Sequence, residues 1–163
     1  LDLRAQLGMA LDAIATVTVA GDALLLARGD RLVRNERDAR VSIHHSAALG
    51  FVRGRAGVVD FEQSAVDDPA LAAFRARVRA ERDDSLPRGA ARVTVGLADG
   101  RTITHTVLAA RGSEQKPLTD AELEAKYRDN AGLGGVSDAD TQIAALWALD
   151  RTADIGTLTR ILA

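Results

Sequence analysis

The chain contains no cysteine. That absence excludes disulfides, thiolate metal sites and cysteine nucleophiles, and it suits a reducing cytoplasm. It also lacks a dominant charge: 21 basic residues stand against 23 acidic ones, a net charge of −2. No global field is therefore available to gather nucleic acid or an anionic membrane surface, and neither is expected as a partner. No apolar run approaches the roughly 20 residues of a membrane span, and no basic stretch followed by an apolar segment opens the chain. The sequence reads as a soluble, cytoplasmic protein. No glycine-rich phosphate loop follows the first predicted strand, and there are no internal repeats or low-complexity tracts.

What is present is a globular pattern of 163 residues, 47% of them hydrophobic, read as a single domain over 1–163. The chain opens at Leu1 without a methionine, and LDLRAQLGMALDAI carries Leu3, Leu7 and Leu11 at helical spacing, so a helix is expected from the first residue. A piece of a longer protein is the natural reading. Ile14 to Ala20 (IATVTVA) alternates like a strand, and Gly21-Asp22 closes it. Leu24 to Arg40 reads as a short helix or surface loop, and Val58 to Val66 as a connecting element. Asp68 followed by Pro69 starts a helix with Leu71, Phe74 and Val78 as its stripe, and Val78 to Asp83 leaves it extended. Asp99-Gly100 between two alternating runs predicts a hairpin with strands at Ala91 to Leu97 and Thr102 to Ala109, joined by a type I′ turn. Thr119 to Glu122 is a capping box for a helix to about Asn130 with Leu123 and Tyr127 inward. Helices around Ile143, Leu146, Trp147 and Leu149, then around Leu158 and Ile161, complete the chain. The pattern predicts α+β: a small, mainly antiparallel sheet with helices packed on one face, in two layers.

The residues that draw attention lie in VSIHHSAALGFVRG, Val41 to Gly54. If Ser42 caps this helix, His44 and His45 occupy the first turn, where free backbone N–H groups and the helix dipole favour an anion. A substrate carboxylate there would be held by those amides, by the Ser42 hydroxyl and by an imidazole. The bland alternative is that both histidines are satisfied interior residues. A metal site is not expected, because adjacent helical residues diverge by about 100°. His105 alternates with Ile103 and Val107 and is assigned to their face or to a sheet edge. Glu122 and Lys126 form an i, i+4 pair on a solvated face. Arg40 and Arg53 flank the histidine helix and are candidate carboxylate attractors, and Trp147 is assigned to the core.

The ordered set SIHHSAALGFVRG, DPALAAFRARV, ARVTVGLADGR and GSEQKPLTDAELEAKY resembles the C-terminal domain of the MmgE/PrpD family, over nearly the whole chain. That resemblance implies an enzyme family including 2-methylcitrate dehydratase, cis-aconitate decarboxylase and iminodisuccinate epimerase, acting on small polycarboxylates without a cofactor. It implies a helical N-terminal domain as intramolecular partner, a cleft between the domains, and a homodimer. This chain would be the lid, and alone it would be inactive. The family often has tyrosine where this chain has His45, so His45 becomes the candidate catalytic residue, with Ser42 and His44 binding substrate. The competing reading is a non-catalytic α+β interaction or dimerisation module docking through Leu49, Phe51 and Val52.

Overall fold

The computed structural model describes residues 2–8 and 11–162. The chain divides into two compact units, one running to Ala110 and one from Arg111 onward, where the sequence reading treats 1–163 as one.

In the first unit, α1 (Asp2–Leu7) stops at Gly8, whose φ of 54° is in the left-handed region that favours glycine. The expected helix is therefore shorter than its pattern. Leu3 is buried and Leu11, in a 3-10 turn, packs against the core, while Leu1 and the side chain of Leu7 lie outside the described residues. β1 (Ile14–Gly21) follows. Asp22 then serves as N-cap of α2 (Ala23–Gly29), its carboxylate accepting from the Leu25 N–H at 2.7 Å. After α3 (Glu36–Val41), α4 (Ile43–Val52) carries the two histidines. A 3-10 turn over Val58–Phe61 and the single turn α5 (Gln63–Val66) lead to α6 (Pro69–Arg75). Its start is as expected: Asp68 accepts from the N–H groups of Ala70 and Leu71, and Pro69 stands in the first turn.

Val78 does not extend the α6 stripe. It opens β2 (Val78–Arg82), which pairs in parallel with β1; β3 (Ala91–Leu97) and β4 (Thr102–Val107) add antiparallel pairs, giving the order β2-β1-β3-β4. Register explains the two layers. Val78, Val17, Val95 and Ile103 are cross-strand neighbours on one face, as are Ala80, Val19, Val93 and His105. The alternate residues, including Arg79, Thr18, Thr94 and Thr104, form a polar open face on which the Thr94 and Thr104 hydroxyls meet at 3.1 Å. The apolar face is covered by α4 and α6, which pack on each other through Phe51 and Phe74, ring centroids 5.3 Å apart. His105 takes the face assigned to it from sequence.

The hairpin differs in its turn. A type I′ turn needs positive φ at both central residues, yet among the described residues only glycines have positive φ, Gly100 among them at 86°. Gly100 N–H bonds the Leu97 carbonyl and Leu97 N–H bonds the Arg101 carbonyl, so the connection is a β-turn followed by a left-handed glycine. A second correction concerns Leu49 and Phe51, offered as a docking face: both are buried in the core and unavailable to a partner.

The second unit contains α7 (Asp120–Leu133), α8 (Ala139–Trp147) and α9 (Ile155–Leu162). The capping box at Thr119 and Glu122 is present, and Glu122 is pulled down to about 2 by the Thr119 backbone N–H, the Arg111 guanidinium and the Thr119 hydroxyl. These partners replace the expected pair with Lys126. The inward face assigned to α7 is not covered: none of its residues is buried, Leu123 is 47% exposed and Trp147 on α8 is 48% exposed. Both line a groove of about 380 Å³ between the two helices. Trp147 donates to Glu124 and the Tyr127 hydroxyl to Gln142.

Leu71, fully buried where α6 meets the sheet, is the strongest single test of this packing. Leu71→Ala is expected to lower unfolding free energy by about 2–5 kcal/mol, measured from urea midpoints with an unchanged m-value.

Candidate functional site

Ser42 ends one helix and starts the next. As C-cap of α3 its N–H bonds the Ala39 carbonyl, and as N-cap of α4 its hydroxyl oxygen accepts from the His45 N–H at 3.3 Å. The same hydroxyl donates to the Arg31 carbonyl at 2.8 Å. Ser42 is fully buried, with both hydroxyl roles filled inside the protein. It is therefore not a substrate contact in this fold; it pins the segment after α2, with Arg31 to Arg34, against the tip of α4.

The roughly 100° step between adjacent helical residues sends the histidines apart. His44 stands at the border of solvent, its side chain 15% exposed. Its Nδ1 lies 3.1 Å from the Val78 carbonyl oxygen and its Nε2 2.8 Å from Asp30 Oδ1. His45 turns inward and is fully buried, packed against the Phe61 ring at 5.7 Å. Its Nε2 lies 2.8 Å from the Asp60 carbonyl oxygen, and its Nδ1 lies 3.1 Å from Arg75 Nη1.

Those partners define the tautomer of His45. A guanidinium only donates, so Nδ1 must be the acceptor; a carbonyl only accepts, so Nε2 must carry the hydrogen. The imidazole is neutral. Burial lowers its pKa below the ordinary 6.5, the Asp60 carbonyl raises it in part, and the charges of Arg75 and Arg53 lower it further. The expectation that His45 faces a cleft is thereby corrected: it is enclosed, with both nitrogens engaged.

Around it the ion pairs are structural. The buried Asp60 carboxylate meets Arg53 Nη1 at 2.5 Å and the Gly57 N–H at 2.8 Å. Burial opposes its ionisation, but the Gly57 N–H, the Arg53 hydrogen bond and the charges of Arg55 and Arg53 together outweigh burial and hold its pKa below the ordinary value. Arg53 also reaches Asp68 at 2.9 Å and is thereby committed to two carboxylates, whereas Arg40 is exposed and meets only Glu36, at 3.7 Å.

The residues that sequence reasoning missed are Arg31, Arg34 and Arg75. With Leu32, Val33, His44 and Ala76 they line a cavity of about 350 Å³. Arg75 Nη2 donates to the Val66 carbonyl at 2.7 Å, and burial lowers its pKa against the opposing charges of Asp68 and Asp67. Among the described residues none of these three guanidinium groups is ion-paired with a carboxylate; the acids at the lining are Asp30, bonded to His44 Nε2, and Asp38, which accepts from the Arg34 backbone N–H. Such a cavity is chemically suited to a small anion. A signal for Arg75 did exist: it falls four residues after Leu71, on the face that α6 buries. Among the described residues no group of three or more histidine, aspartate or glutamate side chains is placed to hold a metal ion.

From about 6.5 downward the unfolded chain binds a proton that folded His45 refuses, so stability is full above that value and declines as pH falls. Urea midpoints measured between about pH 7.5 and 5.5 should drop for wild type and drop less for His45→Phe; equal slopes would remove His45 as the cause.

The MmgE/PrpD C-terminal domain profile matches residues 1–151. Cis-aconitate decarboxylase of Mus musculus is 26% identical over 133 residues, covering 78% of this chain and 27% of that protein. The chain thus spans about a quarter of the length of this curated relative. No helix among the described residues is long and apolar enough to cross a membrane.

Proposed function

Since the chain belongs to the MmgE/PrpD family as a C-terminal domain, we propose that it binds and encloses a small di- or tricarboxylate in an enzyme that removes a proton beside a carboxylate. The family includes dehydratases and decarboxylases. The observation that carries the reading to this chain is the cavity lined by three arginines, Arg31, Arg34 and Arg75, on a protein whose net charge is −2.

The chemistry follows from where charge develops. Taking a proton from the carbon next to a carboxylate pushes an electron pair toward the carboxylate oxygens, giving an enolate-like species. Guanidinium groups fixed beside those oxygens stabilise that charge more than the ground state, and a site closed to water strengthens each contact. The electron pair then expels hydroxide, which leaves as water with the proton handed back by the protonated base, or the carbon regains that proton; in decarboxylation the breaking C–CO₂ bond supplies the pair and the carbon takes up a proton. In this reading the proton-abstracting base belongs to a helical N-terminal domain of the same protein. The complete enzyme is a cytoplasmic homodimer that uses no cofactor, with neither nucleic acid nor membrane as a partner. Within this chain the arginines face substrate, and Ser42, His44 and His45, whose polar side-chain atoms are held by the protein, support them.

The test uses the complete gene product with 2-methylcitrate, cis-aconitate and iminodisuccinate. Turnover of one of them is expected, with kcat/KM lowered about tenfold in Arg31→Ala/Arg34→Ala and the loss shrinking at high salt. Turnover of none would overturn the assignment.

A further inference from the structure

We propose that Arg75 is the carboxylate-contacting residue of this cavity and that His45 is its positioning residue, so that a buried neutral imidazole sets the aim of a guanidinium that grips one carboxylate of the substrate. The inference rests on the polycarboxylate reading above and names the residues through which it acts.

A guanidinium has five N–H bonds. In Arg75 one Nη1–H goes to His45 Nδ1 and one Nη2–H to the Val66 carbonyl. Among the described residues no acceptor is bonded to the other three, the Nε–H and one on each terminal nitrogen, and Arg75 is one of the residues that line the cavity. Both partners that hold the group are uncharged acceptors, so they fix its plane without neutralising it. Asp68, the nearest cap, is already taken by Arg53 and by the first N–H groups of α6; Asp67 is bonded to Gln63. A half-buried arginine with a full charge and open donors is matched by a carboxylate, which accepts two parallel N–H bonds. A protonated His45 would lose its acceptor and set a second cation against Arg75; the neutral Nε2–H form, required by the Asp60 carbonyl, is the one that supports it.

Asparagine and glutamine at position 45 separate the two halves of the imidazole, because an asparagine oxygen stands near the place of Nδ1 and a glutamine nitrogen near that of Nε2. Citrate binding to the complete gene product is measured by calorimetry, with melting temperature and far-UV circular dichroism as checks on folding. Arg75→Gln is expected to raise the citrate Kd about tenfold or more. His45→Asn keeps Kd within about threefold although it melts lower, since the Asp60 carbonyl loses its donor. His45→Gln raises Kd about tenfold although it melts higher than His45→Asn. In kinetics the same variants move KM rather than kcat, because the carboxylate that Arg75 grips is one on which no charge develops. The proposal is overturned if wild type does not bind citrate, if Arg75→Gln binds it as wild type does, or if the order of the two position-45 variants is reversed. Loss of the functional reading is a separate result: no turnover of any polycarboxylate, with Arg75-dependent citrate binding intact, would leave the anion site standing.

Discussion

Everything near the histidine helix depends on one buried imidazole that must accept on one side and donate on the other. Arg75 can only donate and the Asp60 carbonyl can only accept, so His45 bridges them in a single tautomer and without charge. This bridge joins α4, the turn before α5 and the last turn of α6. Beside it the Arg53 guanidinium spans the carboxylates of Asp60 and Asp68, tying the same turn to the start of α6. Polar groups in a dry interior are tolerated only when each is satisfied. Of the buried side-chain polar atoms among the described residues, Ser113 Oγ is the one recorded without a partner, and it lies outside this network.

The network turns the surface above it into something usable. Ser42 holds the Arg31 carbonyl, so the arginine-bearing segment after α2 is anchored to the α4 tip. His44 fastens that tip to the first residue of β2 and to Asp30. His44 faces two acceptors, a carbonyl and a carboxylate, whereas His45 faces a donor and an acceptor; adjacent residues of the same type are thus driven into different hydrogen-bonding roles by the one-residue rotation of the helix. The arginines are left at the rim of a cavity with their backbones or terminal nitrogens held and, among the described residues, with no carboxylate ion-paired to them. Preorganised cations of this kind favour a developing anion because no protein reorganisation is needed when the charge appears.

Much of the fold is legible in the sequence because local chemistry decided it. Strand β3 has the predicted ends, Asp68-Pro69 and the Thr119–Glu122 box cap the predicted helices, and the alternation in β1, β3 and β4 yields a mainly antiparallel sheet with helices on one face. The errors share a cause: the partner of an apolar residue is not written beside it. Val78 continues the Leu71–Phe74 spacing yet goes to a strand, because β1 offers backbone pairing at that point. Trp147 and Leu123 have core-like spacing but meet a groove. At the site, the Ser42 cap and the place of His44 and His45 in the first turn of α4 were legible, and the direction of each imidazole was not, since that depends on Asp60, Arg75 and Asp30, distant by 15, 30 and 14 residues. The cavity arginines were hidden among 21 basic residues for the same reason.

The most direct test of the account is the tautomer of His45, read from a long-range proton–nitrogen NMR correlation on histidine-labelled protein at neutral pH, with His45→Asn used to assign the signal. The account predicts a neutral ring with hydrogen on Nε2 and an unprotonated Nδ1 that shifts when Arg75 is replaced. A ring protonated on both nitrogens, or carrying its hydrogen on Nδ1, would contradict it.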